Sequence, residues 1–220
     1  MPSAKRYKFP GSQFRVQIGF LATKAITAVT NDDPANVTSA AHGLEDGTPV
    51  KVAGVVGMTE LNGNLYVVQE GATANDLDLI GVDSTDYTAY ISGGTLAPAD
   101  MSPFCELQNF NQQDGAADEY EATTICSKAK EFEIGLSDPG TMQLDYLAAL
   151  NSPIQVAMRA AKRSGEILAF DLLFPKDGGR VVALGSVQSQ NLTGGNGGLW
   201  QGSATIRLTG EIYVFESGVA

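Results

Sequence analysis

The sequence is poor in the residues on which most protein chemistry depends. Its 220 residues include one histidine, two cysteines and one tryptophan. Any Ser-His-Asp relay, Cys-His pair or histidine-based metal site would have to run through His42. That residue sits in Ser39-Ala-Ala-His-Gly-Leu44 with no second or third partner beside it, so a turn histidine capped by local backbone is expected. Cys105 and Cys126 lack CxxC spacing and form neither a zinc site nor a disulfide framework. Buried free thiols on neighbouring strands are the expectation.

Charge is also scarce. Asp, Glu, Lys and Arg make up 18% of the chain, against about 25% in ordinary soluble domains. Basic residues are the scarcer sign, 14 against 25 acids, for a net charge of −11. A grip on nucleic-acid phosphates needs clustered cations, so that function class is disfavoured. No run approaches the roughly 18 apolar residues of a membrane span. The basic start, Met1 to Pro10, has no apolar run that could serve as a signal sequence, so a soluble protein used without secretion is expected.

What the chain does have is 43% hydrophobic residues and 25 glycines. A real core and many turns follow, which suits a β-protein. Gln13 to Phe20 alternates strictly, with Phe14, Val16, Ile18 and Phe20 on one face. A lone first strand cannot fold, so it should pair with chain beyond residue 95. Residues 25–95 then become an inserted small all-β domain within a β-sandwich built from 1–24 plus 96–220.

The insertion has its own texture. It carries ten acids against one base, Lys51. Short β-prone runs, Ala25–Thr30, Pro49–Ala53, Leu65–Val68, Leu77–Ile80 and Tyr87–Ile91, are cut by turn signals, among them the hairpin dipeptide Asn62-Gly63. Asp76, Asp78, Asp83 and Asp86 lack the spacing of a calcium loop and read as solvated surface.

Beyond the insertion, Phe104–Phe110 and Glu119–Cys126 are expected to form a hairpin with a polar tip at 111–117. Glu131–Leu136 and Thr141–Tyr146 alternate around Asp138-Pro-Gly140. One segment changes period: Ile154, Ala157, Met158 and Ala161, with Ser152-Pro153 before and Gly165 behind, predict a single helix over 152–164. Strands resume over Glu166–Phe174, Arg180–Leu192 and Ser203–Phe215, the last setting Ala204, Ile206, Leu208, Ile212 and Val214 opposite Thr205, Arg207, Thr209 and Glu211. Thr193–Gly198 is glycine-rich, but a strand follows it where a phosphate loop needs a helix.

Polar residues recur on several strands: Glu106 with Gln108, Glu119 with Glu121, Glu131 with Glu133, then Ser186, Gln188 and Gln190. In a monomer they are the wet side of a sheet. In a ring with inward-facing sheets they would line a channel whose negative walls repel DNA phosphates.

The stretches Phe104-Cys-Glu-Leu-Gln-Asn-Phe-Asn111, Glu121-Ala-Thr-Thr-Ile-Cys-Ser-Lys-Ala-Lys-Glu-Phe132 and Ile134-Gly-Leu-Ser-Asp-Pro-Gly140 resemble the major tail tube proteins of long-tailed bacteriophages. The helix, Gly165–Phe170, Phe174–Asp177 and the strand from Gly202 to Phe215 fit the same order. The insertion, through Val37–Leu44, Met58–Gly63 and Gly81–Tyr90, is similar to small β-modules spliced into phage structural proteins, and through them to a β-subdomain of ubiquitin-activating enzymes.

The resemblance implies a mainly β, tail-tube-like sandwich with one flanking helix. It would be a non-enzymatic virion protein without cofactors, assembled in the host bacterial cytoplasm as stacked hexameric rings that conduct DNA during ejection. Tape measure, tail terminator and baseplate or tail-tip proteins would be its partners, with only transient DNA passage and no membrane. Glu106, Glu119, Glu121, Gln188 and Gln190 would face the lumen. Rings would stack through the arm 1–12 and the tip 111–117, using Lys5, Arg6, Lys8, Gln112 and Asp114. A head decoration or head-completion protein and a carbohydrate-binding β-protein remain the alternatives.

Overall fold

A computed structural model describes residues 6–176 and 178–216. The chain is mainly β, and the described residues show antiparallel pairing throughout and one α-helix. The first strand, β1 (Gln13–Phe20), lies between β13 (Ile167–Leu173) and the second half of β8 (Ser92–Pro103). Phe14 and Val16 point into the core as their alternation requires. The pattern then breaks, because the register against β8 shifts between Gln17 and Gly19. Gln17, ahead of the bulge and on the face of Arg15, is buried, its Oε1 accepting the Ala169 N–H at 3.0 Å, and Phe20, beyond the bulge, is exposed under the Lys51 ammonium.

From β13 the sheet continues through β14 (Arg180–Thr193), β15 (Gln201–Phe215) and β12 (Thr141–Leu147) to β9 (Leu107–Gln113). It curls as it goes. Phe14 on β1 meets Phe110 on β9, at the far end of this row, with ring centroids 5.4 Å apart. Residues 104–106 step from one flank to the other: the Phe104 N–H bonds Phe14 and the Glu106 carbonyl receives the Leu147 N–H. The main core fills the space between the flanks, with Met142, Leu144, Phe170, Ile206 and Leu208 from the strands.

Helix α1 (Pro153–Ser164) closes that core with Ile154, Met158 and Ala161. Pro153 pre-sets its first turn and Gly165 ends it in the left-handed conformation, its N–H on the Ala161 carbonyl. Ser152 takes the N-cap position, but its hydroxyl makes no cap bond.

The residues between β1 and β8, with Leu96 of β8 itself, build a second core from Val37, Val50, Val52, Leu61, Leu77 and Leu79. Its strands are β2 (Lys24–Ala25), β3 (Ala28–Val29), β4 (Asn36–Thr38), β5 (Pro49–Val56), β6 (Leu65–Val67) and β7 (Asp76–Asp78). β5 and β6 form a hairpin, but the connection is longer than a two-residue turn. A short 3-10 helix, Thr59–Leu61, precedes Asn62, whose side-chain amide bonds both the N–H and the carbonyl of Val55 at 2.8 Å. Tyr87–Ile91 is not a strand. Glu60 fixes Thr88, and the Tyr90 hydroxyl donates to backbone carbonyls of Ile26 and Gly93, so side chains take the place of a ladder.

The two cores share one strand. The first half of β8 pairs with β5 and the second half with β1. A third cluster joins them face to face, with Leu65, Val67 and Ile80 packed on Ala169, Val182, Leu184 and Phe215. Gly47 lies in this seam at φ +75°, where an added Cβ would come within 3.0 Å of the Phe215 ring.

Three further expectations are corrected. The hairpin of 104–110 with 119–126 does not form: β9 pairs with β12, and β10 (Glu119–Glu121) pairs with β11 (Phe132–Ile134) in a ribbon of its own. The tip residues Asn111–Gln113 therefore belong to β9. Val214 is exposed and Phe215 buried, because Phe215 lies with Tyr213 on the face opposite Leu208 and Ile212 and packs there in the third cluster. Cys105 and Cys126 are exposed in loops rather than buried on strands.

Candidate functional site

The polar residues expected to line one wall do not share one. Glu106 lies half-buried in the 104–106 crossing, and Glu119 and Glu121 stand on the separate ribbon, where Lys130 reaches Glu121 at 3.4 Å. Gln188 is exposed at the second β14 bulge, between Val187 and Ser189. Gln190, beyond that bulge, faces the other way, opposite buried Ala204. Burial raises the Tyr146 phenol above its ordinary value and keeps it neutral.

Of the residues expected between rings, Lys5 lies outside the described residues. Arg6 and Lys8 are exposed, and the Gln112 amide donates to Asp114 at 3.0 Å.

The registers assemble a different wall. β13 leaves β14 at Ser186, so Val187–Thr193 pairs with β15 on one side only. This end of β14, with β15, β12 and β9, forms a four-stranded wing bounded by two strands that have no further strand partner among the described residues. Its inner face holds Met142, Leu144, Ala204 and Ile206. Its outer face carries Asn109, Asn111, Gln143, Asp145, Ser203 and Thr205, aligned as Asn111–Gln143–Thr205 and Asn109–Asp145–Ser203. Amides and hydroxyls dominate it, and the Asn109 amide donates to Asp145 at 3.3 Å. The alternation of 141–146 and 203–208 carries this signal, but which strands lie side by side does not follow from it.

Where β12 begins, Asp138 accepts the Gly140 N–H at 2.9 Å and pairs with Arg207 at 2.7 Å. Those two contacts, the backbone one first, hold its carboxyl below the usual aspartate range. Gly140 has no alternative, since at φ +83° an added Cβ would fall 2.0 Å from the Gln113 carbonyl.

At the other end of the wing a groove of about 400 Å³ opens between α1 and β14. Tyr146, Leu150 and Leu192 supply apolar lining, and Arg159, Lys162 and Arg163 supply charge, with no carboxylate among the lining residues. Buried Gln155 fixes the loop beneath it by accepting the Ala149 N–H and donating to the Leu147 carbonyl.

Buried charge concentrates at the seam between the two cores. Asp171 on β13 is fully buried and takes Arg15 on one carboxylate oxygen and Arg180 on the other, the latter at 3.0 Å. Arg180 also donates to the Asp46 carbonyl at 2.9 Å, tying the inserted segment to the body. Each charge is paired, so the group reads as a structural clamp.

Other candidates are occupied locally. Asp76 and Asp78 accept from Thr38 and Asn36 across β4. His42 is buried, and its Nδ1 accepts the Leu44 N–H at 3.0 Å as a turn cap. Among the described residues no three His, Cys, Asp or Glu side chains converge as a metal site requires, and no helix is long and apolar enough to cross a membrane.

Residues 34–98 match the ubiquitin-activating enzyme E1 FCCH domain. The match covers less than a third of the chain, from the end of the β3–β4 turn to the middle of β8, which is most of the second core. The FCCH-matching segment contains no cysteine. No curated protein matches the chain.

Proposed function

We propose that this chain is a structural subunit that assembles with copies of itself into stacked rings, the major tail tube subunit of a long-tailed phage. The observation that carries the reading is the four-stranded wing. Its inner face is committed to the subunit's own core, its outer face is a continuous polar wall, and both bounding strands are open. An exposed strand edge is a liability that proteins normally blunt, and pairing with the next copy uses it instead. Wings joined edge to edge close into a barrel with no remaining edge.

The wall such a ring turns toward its bore would be built from Asn109, Asn111, Gln143, Ser203 and Thr205, with few charges. Neutral amides and hydroxyls offer phosphates neither the cations that would trap them nor an apolar surface. The FCCH-matching segment, docked on the opposite side of β13 and β14 from the main core, would ride outside the wall as a passenger.

Negative-stain electron microscopy of the purified full chain tests this directly. Hollow tubes or rings at high protein concentration are the expected result. A protein that stays monomeric across salt conditions, or that assembles only on a preformed capsid shell as a decoration protein would, overturns it.

A further inference from the structure

The β10–β11 ribbon is the least self-sufficient part of the molecule. It pairs three residues on each strand, and all six are exposed. A two-stranded ribbon this short is at best marginal on its own in water. Yet it displays Tyr120, Ile125, Phe132, Ile134 and Leu136, the last two at 78% and 92% exposure. Phe132 and Ile134 share one face of the ribbon and Tyr120 lies on the other, and exposed apolar side chains in this number mark an interaction site. Around these side chains, residues 118–136 hold five acids and two bases. Lys130 is engaged with Glu121 and Phe132, which leaves Asp118, Glu119, Glu131 and Glu133 without a cation of their own on the ribbon save Lys128.

The groove between α1 and β14 is its chemical complement, with apolar Leu150 and Leu192 beneath Arg159, Lys162 and Arg163. Ribbon and groove stand at opposite ends of the same wing. The ribbon leaves where Gln113 pairs with Thr141, the first residue of β12, and the groove lies beside Leu147, its last. Seven residues of strand put the two about 20 Å apart along the sheet.

We propose that the β10–β11 ribbon of one copy seats in the α1–β14 groove of a second copy. The inference rests on the self-assembly reading above and names the contact that stacks the subunits. Because donor and acceptor are different surfaces, the contact is heterologous and repeats indefinitely, as a growing tube requires. Opposite charge steers the encounter and fixes the register, and burial of the ribbon's apolar residues holds it. This places stacking on the ribbon and not on the polar residues 111–117, of which Asn111–Gln113 are already taken up in β9.

Cys126 lies exposed within the ribbon segment, so cross-linking can read the contact in the full chain. With Cys105→Ser and Lys162→Cys, a short bismaleimide should give a ladder of covalent multimers through Cys126. Reversing the groove with Lys162→Glu and Arg163→Glu should raise the protein concentration needed for assembly about tenfold or more. Adding Glu131→Lys and Glu133→Lys to that variant should restore it. All these positions are exposed, and circular dichroism of each variant checks that the fold is kept. Tubes that form without the ladder and ignore the charge reversal would overturn this contact while leaving the tube reading intact. Absence of any assembly in the unmodified chain would overturn both.

Discussion

Replacing Asp171 with alanine probes how firmly the inserted segment and the body are held together. The carboxylate is inaccessible to solvent, whereas the side chains of Arg15 and Arg180 are 26% and 15% exposed. Its removal leaves two guanidinium groups facing each other across a vacated position, and Arg180 loses the partner that aims its other nitrogen at the Asp46 carbonyl. Breaking one member of a buried ion pair costs about 3–5 kcal/mol. Both arginines reach solvent at the cleft edge, which places the loss near the lower figure. For a chain of this size each kcal/mol moves the Tm by about 2–4 °C, so a fall of roughly 6–12 °C is expected. Differential scanning calorimetry measures it. Asp171→Asn should lose less, since one oxygen still accepts. Combining Asp171→Leu with Arg15→Met and Arg180→Met should recover much of the loss, because an apolar trio leaves no charge unpaired. An alanine variant melting within about 2 °C of the parent would refute the clamp.

Deleting residues 27–93 uncovers Ala169, Val182, Leu184 and Phe215, so the trimmed chain should aggregate unless some of these are made polar; light scattering distinguishes the two. Asp138 titrates below its ordinary value when folded, so its contribution is present above the unfolded aspartate value, near pH 4, and is lost as pH falls through the folded one. Asp138→Asn should therefore flatten the acid limb of the Tm-against-pH curve. Gly140→Ala meets both a left-handed backbone and the Gln113 carbonyl, and should cost about 1–3 kcal/mol in chemical denaturation. Both cysteines should react with a thiol reagent in the native protein, giving two equivalents without denaturant.

Much of the fold could be read from periodicity. Gln13–Phe20, Thr141–Tyr146 and the helix from Pro153 stand where their patterns put them, because each buries one face against a single core. Failures come where a bulge inserts one residue and reverses the side chains beyond it, as at Gln188, and where a second layer buries the face that alternation leaves to solvent, as at Gln17 and Phe215. The polar wall was half legible: Gln143 and Thr205 alternate clearly, but their alignment with Asn111 depends on which strands become neighbours. The cysteines were misplaced because an apolar thiol gives no periodic signal in a loop. Residues 119–134 read as part of the sheet because alternation looks the same whether or not a second layer exists to cover it.

The twelve residues of β8 belong to both hydrophobic cores at once, with no linker between one duty and the other. A passenger attached by flexible threads swings freely and samples its surroundings. One that shares a backbone strand with its carrier is held like a fin on a shaft. Whatever surface it offers is displayed at a set angle, and any load applied to it passes straight into the hydrogen-bond ladder of the larger sheet.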